Sequence, residues 1–205
     1  MDGDRSGHWE AVYSTKRESD VSWFQQDPAT SLALMASAGA TAASSVIDIG
    51  GGASRLVDAL LARGYDDVTV LDLSAAALAT VRRRLGPDGD SFQGIVADIT
   101  TWRPRRRYDV WHDRAAFHFL TDAAERAAYV AALRAALPPD GHAVIATFAL
   151  DGPERCSGLP VTRYDGESLA AVLGDDFERL ETVAHSHVTP WGAPQSFQFS
   201  LFRRV

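Results

Sequence analysis

The spacing of apolar residues changes character at Val46. From there on, short runs rich in Val, Ile and Leu alternate with Ala-rich stretches of helical periodicity, the pattern of strand–helix–strand units around a parallel sheet. "SVIDIG" predicts a first strand and residues 53–63 its helix; "DVTVLDL" predicts a second strand, and residues 75–85 a helix stopped by Gly86 and Pro87. "FQGIVAD" and "YDVWHD" predict the third and fourth strands. Asp122 is placed to cap the next helix, with Glu125 at the capping-box position and Pro138 and Pro139 to end it. "HAVIATFAL" predicts a fifth strand.

The rhythm breaks after Leu150, where "DGPERCSGLPVTRYDG" predicts a loop, followed by a short helix over 167–173. Two final strands, over 177–188 and 196–204, are joined by "TPWGAPQ", too short for a crossover helix, so they pair antiparallel. Residues 1–45 form an amino-terminal cover, with a helix near 28–38 that Pro28 starts. The expected fold is α/β: one domain with a cover (1–45), a core (46–150) and terminal loops and hairpin (151–205).

Composition agrees with that picture. A chain of 205 residues, 46% hydrophobic, with 9 prolines can bury the core of one such domain. Its apolar runs break after about ten residues, short of the roughly 20 that span a bilayer. No basic and apolar leader follows Met1, and Cys156 is the only cysteine, so a soluble, cytoplasmic protein is expected. The net charge of −7 opposes attraction to nucleic acid, and the cluster Arg103, Arg105, Arg106 and Arg107 reads as a solvated loop.

Candidate chemistry gathers at predicted strand ends. In "DIGGGAS", Gly50, Gly51 and Gly52 lie between strand and helix, where missing side chains admit a ligand to the backbone, or simply make a turn. The dinucleotide pattern GxGxxG fails at Arg55, and no GK[ST] follows for a phosphate loop. Asp72 ends the second strand, where a carboxylate accepts from both ribose hydroxyls of an adenosine ligand; capping the next helix is the other reading, although Ser74 is available for that. Asp98 ends the third strand and suits an adenine amino group with the Ile99 N–H beside it, or a turn. Three strand ends carrying this set favour an adenosine site.

On these residues the chain resembles class I S-adenosylmethionine-dependent methyltransferases. "VIDIGGGAS" is similar to that family's DxGxGxG loop, with Asp48, Gly50 and Gly52 matching and Ser54 in place of the last glycine. The resemblance implies a Rossmann-like sheet of seven mostly parallel strands with a terminal antiparallel hairpin and helices on both faces. It also implies S-adenosyl-L-methionine as cofactor, with S-adenosyl-L-homocysteine as product. Asp48, Gly50, Gly51, Gly52, Asp72, Leu73, Asp98, Ile99 and His112 would hold the cofactor, and Trp23, with Phe24, would either lie near its methionine end or only pack the amino-terminal segment onto the sheet. Aromatic faces suit a sulfonium cation.

"YDVWHDRAAFHFL", residues 108–120, then falls beside the methyl group. His112 and His118 have no Cys or HExxH partner, so no metal is expected, and no GxSxG elbow supports a hydrolase. "WHDRAAFHFL" resembles the segment "DRGAL" of thiopurine methyltransferase, with Asp113 and Arg114 falling on its Asp and Arg; these two and, apart from the resemblance, His118 are the catalytic candidates. Arg114 would meet an anionic acceptor or a developing thiolate, and His118 would take a proton; pairing of Asp113 with Arg114 and a turn role for His118 remain open. In the family it resembles, the loops after the fifth strand and in the last hairpin shape the acceptor pocket, which would make Tyr164, His187 and Trp191 lining residues; Trp191 packing the hairpin and Cys156 as an inert buried thiol or a reactive one remain open. The expected activity is methyl transfer to a small-molecule S, Se, N or O nucleophile, with a protein lysine as the alternative acceptor and no nucleic-acid or membrane partner.

Overall fold

The computed structural model describes residues 5–205. In chain order its strands are β1 (Val46–Ile49), β2 (Val68–Asp72), β3 (Gln93–Val96), β4 (Val110–Arg114), β5 (His142–Phe148), the short β6 (Arg155–Cys156) and β7 (Leu159–Pro160), β8 (Phe177–Val188) and β9 (Pro194–Arg204). The helices are α1 (Arg5–Thr15), α2 (Ala29–Ser37), α3 (Leu56–Leu61), α4 (Ala75–Leu85), α5 (Ala123–Ala136) and α6 (Gly166–Leu173). Seven strands form one sheet in the order β3-β2-β1-β4-β5-β9-β8. The pairs from β3 through β5 are parallel, while β9 runs antiparallel to β5 and β8 antiparallel to β9. This is the expected Rossmann-like arrangement, with the strand order reversing between β1 and β4, where such sheets open a crevice.

Both faces of the central strands are covered, so β1 and β2 are buried along their whole length. Alternate residues serve opposite cores. Ile47, Ile49 and Ile145 pack with Tyr129 and Leu133 of α5. Val46, Val70 and Val144 pack with Leu34 of α2, Leu60 of α3 and Leu78 of α4. Among the described residues no helix is long and apolar enough to cross a membrane.

Several boundaries move for local reasons. The helix expected from Ala53 begins at Leu56, because residues 50–54 stay in the loop and Gly50 and Gly52 take positive φ of 61° and 50°. Ser74 does cap α4, accepting from the Ala77 N–H at 3.1 Å. Asp122 caps α5 through the Ala124 and Glu125 N–H groups, but Glu125 pairs with Arg5 at 2.8 Å. β3 ends at Val96, so Asp98 lies just beyond it. The loop expected over 151–166 contains the β6–β7 hairpin, and α1 was not foreseen as a separate helix. Its polar and apolar residues do not segregate cleanly, so periodicity alone gives it a weak signal.

Candidate active site

The loop after β1 turns at Gly50, whose backbone comes so close to the turn after β4 that an added Cβ would stand 2.5 Å from the Ala116 Cβ. An added Cβ at Gly52 would collide with the Tyr13 hydroxyl. With φ of +61° as well as the collision, Gly50→Ala is expected to cost about 1–3 kcal/mol. A lowered melting temperature together with weakened S-adenosylhomocysteine binding is the expected result; unchanged values for both would contradict the close approach.

One cavity runs from this loop along the ends of β2 and β3, and Gly50, Asp72, Leu73, Asp98 and Ile99 all line it. Asp72 is 6% exposed, and its Oδ1 accepts from the Ser74 N–H at 2.8 Å. Burial pushes its carboxyl up to about 7, against the Ser74 and Gly52 N–H groups, which favour the charged form. Asp98 holds a turn through Oδ1, which accepts from the Thr100 N–H and hydroxyl at 2.8 and 2.7 Å, while Oδ2 lies 3.6 Å from Arg5. The turn reading and the cavity-lining reading of Asp98 are thus both met by its geometry.

Helix α1 lies across this cavity. Arg5 joins Asp98 and Glu125, while Glu10 accepts from the Ser74 hydroxyl at 2.7 Å and the Ala76 N–H at 3.2 Å. Trp9 and Tyr13 line the cavity from above. Trp9 stands edge-on to Trp23 and Phe119, with ring centres 5.5 and 5.1 Å away. No motif in the sequence points to these α1 residues. The available signal was the spacing of four between Trp9 and Tyr13, which puts both on one face of a helix.

The end of β4 divides the polar residues expected at the crevice. His112 is Asp48's neighbour across the β1–β4 pair, and its Nδ1 lies 2.6 Å from Asp48 Oδ1. Its Nε2 lies 2.8 Å from the Ser31 hydroxyl, so β1, β4 and α2 are joined in one buried chain. Asp48, His112 and Ser31 line a second cavity, on the glycine-loop side. Asp113 points to the opposite face and is fully buried, accepting from the Ala116 and Phe117 N–H groups and, at 2.8 Å, from the Tyr129 hydroxyl. It does not pair with Arg114, and it lines neither cavity.

His118 is also fully buried outside both linings; its Nδ1 accepts from the Phe148 N–H at 3.3 Å. Burial, with Arg114 adding to it, depresses His118 to about 3, so the ring is neutral and a poor proton acceptor. Arg114 does reach the crevice and lines both cavities.

The loop candidates also separate. Cys156 lines the first cavity, and burial raises its thiol to about 11, so it is no thiolate. Tyr164 packs against Phe117 in the core, and His187 Nε2 donates to the Ser22 carbonyl at 2.7 Å. Trp191 is 63% exposed at the β8–β9 turn. Trp23 lines both cavities and Phe24 only the second.

Residues 46–141 match the family described as a methyltransferase domain. No curated protein sequence matches the chain. Among solved structures, a SAM-dependent methyltransferase from Anabaena variabilis is 14% identical, with a TM-score of 0.77 over 100% of this chain and 96% of that one. The N-methyltransferase NodS of Bradyrhizobium japonicum, in complex with S-adenosyl-L-homocysteine, is 17% identical, with a TM-score of 0.73 over 96% and 98%. The 1,6-didemethyltoxoflavin-N1-methyltransferase of Burkholderia thailandensis is 21% identical, with a TM-score of 0.68 over 95% and 81%. At these identities the likeness is one of fold.

Proposed function

We propose that this protein is an S-adenosylmethionine-dependent methyltransferase that passes the cofactor's methyl group to a small-molecule nucleophile entering past Trp9, Trp23 and Phe119. The observation that carries the reading is a single cavity in which the Gly50 backbone, Asp72 and Asp98 follow one another along successive strand ends. The residues fit the cofactor on structural grounds: the loop is a cradle that a Cβ would fill, and Asp72 is buried with acceptor capacity left for ribose hydroxyls. Asp98 Oδ2 and the Ile99 backbone would meet the adenine edge.

When bound, the cofactor supplies a methyl carbon already activated by its sulfonium. What the chain must add is alignment and exclusion of water. The edge-on Trp9, Trp23 and Phe119 rings, Leu120 and the neutral Cys156 thiol give that end of the cavity an apolar wall. A lysine ammonium would require a carboxylate to guide it, and the carboxylates of this cavity are the two assigned to adenosine, Asp72 and Asp98. That favours a small acceptor over a protein lysine. Similar folds include N-methyltransferases, one of them crystallised with 1,6-didemethyltoxoflavin.

The test is a labelled-methyl screen of thiols, heterocyclic amines, phenols and lysine peptides. Label on one small-molecule class and none on peptides is expected. Label on lysine peptides alone would overturn the choice of acceptor.

A further inference from the structure

Arg114 carries a hydrogen-bonding problem that the protein does not solve by itself. Its Nη1 donates to the Trp23 carbonyl at 2.9 Å, but Nε and Nη2 are shut off from solvent and have no acceptor. The carboxylates within reach of that cavity are engaged elsewhere: Asp48 with His112, and Glu18 with Arg55 and Arg84. A guanidinium withdrawn from water without an anion is costly. Burial correspondingly depresses Arg114 to about 10.

Nε and Nη2 form one edge of the guanidinium plane, the edge that grips a carboxylate with two parallel hydrogen bonds. Arg114, Tyr13, Trp23 and Gly50 are common to the linings of both cavities, so they mark the passage between them. The first cavity holds the adenosine-binding set. The second lies under the glycine loop, lined by Asp48 and Ser31, and a further unpartnered donor, Arg55 Nε, belongs to a residue of its wall. A ligand with its nucleoside in the first cavity and a short zwitterionic tail in the second would bring its carboxylate to Arg114.

We propose that the Nε–Nη2 edge of Arg114 binds the carboxylate of the cofactor's amino-acid tail, which makes the second cavity the tail subsite and assigns Arg114 to cofactor rather than acceptor. The assignment rests on the cofactor reading above. Ser31 and His112 then act as positioning residues that hold Asp48 at the same subsite.

Calorimetry with two ligands tests this: S-adenosylhomocysteine, which carries the tail, and 5′-methylthioadenosine, which keeps the adenosine and sulfur but lacks it. Arg114→Gln is expected to weaken S-adenosylhomocysteine about 10- to 100-fold while changing 5′-methylthioadenosine less than about twofold. Arg114→Lys should recover part of the loss by keeping the charge. Equal loss of both ligands would mean that Arg114 only props the Trp23 segment, and it would overturn the proposal. Unchanged S-adenosylhomocysteine affinity with a raised acceptor KM would overturn it in favour of an acceptor role. A wild-type protein that binds neither ligand would sink the cofactor reading itself, an outcome distinct from both.

Discussion

Asp72→Ala is expected to weaken S-adenosylhomocysteine binding about 100-fold or more, because the proposed function gives its buried carboxylate two charge-assisted hydrogen bonds to ribose. The wild-type protein should also show a pH signature. Burial holds Asp72 at about 7 in the ligand-free fold, above the unfolded value near 3.9. The sign follows from linkage: ionisation costs the empty fold stability as pH rises from roughly 4 to 7, whereas a ligand that needs the ionised carboxylate binds more tightly over the upper part of that window. Affinity measured by calorimetry should therefore rise about tenfold between pH 6 and 8, and Asp72→Asn should flatten the profile. Affinity unchanged in Asp72→Ala would remove the ribose assignment. His118, neutral well below this range, should add nothing to the profile.

Asp113→Ala should have the largest effect on stability, with a loss of about 4 kcal/mol. The carboxylate is fully buried and satisfies the Ala116 and Phe117 N–H groups and the Tyr129 hydroxyl, which in turn accepts from the Trp111 indole at 2.8 Å. Truncation leaves those donors without an acceptor in the core. For a chain of this length the loss corresponds to a fall of roughly 10 °C in melting temperature. Asp113→Asn, which keeps one carbonyl oxygen, should fall between the two. The same turn carries Ala115 at φ 68° and Ala116 against Gly50, so the damage should spread to the cofactor loop. A normal melting temperature with abolished turnover would instead restore Asp113 to the chemistry.

The two experiments separate residues that look alike in one dimension. Asp72 and Asp113 are both acids at the ends of buried strands, yet Asp72 lines the cavity and Asp113 turns toward α5. The strand–helix alternation, the glycine loop and the acids that end β2 and follow β3 were legible because each depends on local sequence: a strand-length apolar run, its terminator and the residues just beyond it. Parallel pairing then brings those ends into one row. The polar run at the end of β4 was legible as a place but not as roles.

Sequence by itself therefore determined the parallel core, its terminal hairpin and the row of glycines and acids that lines the first cavity, since periodicity and turn chemistry specify strands and the ends where they stop. Tertiary structure alone decided what the remaining polar residues do. His112 meets Asp48 across 64 residues of chain and Ser31 across 81, and Arg114 meets the Trp23 carbonyl across 91. No local pattern encodes such pairings. They arise only when the sheet sets which side of each strand faces a cavity and the amino-terminal helices close over it, leaving one buried guanidinium edge without an acceptor.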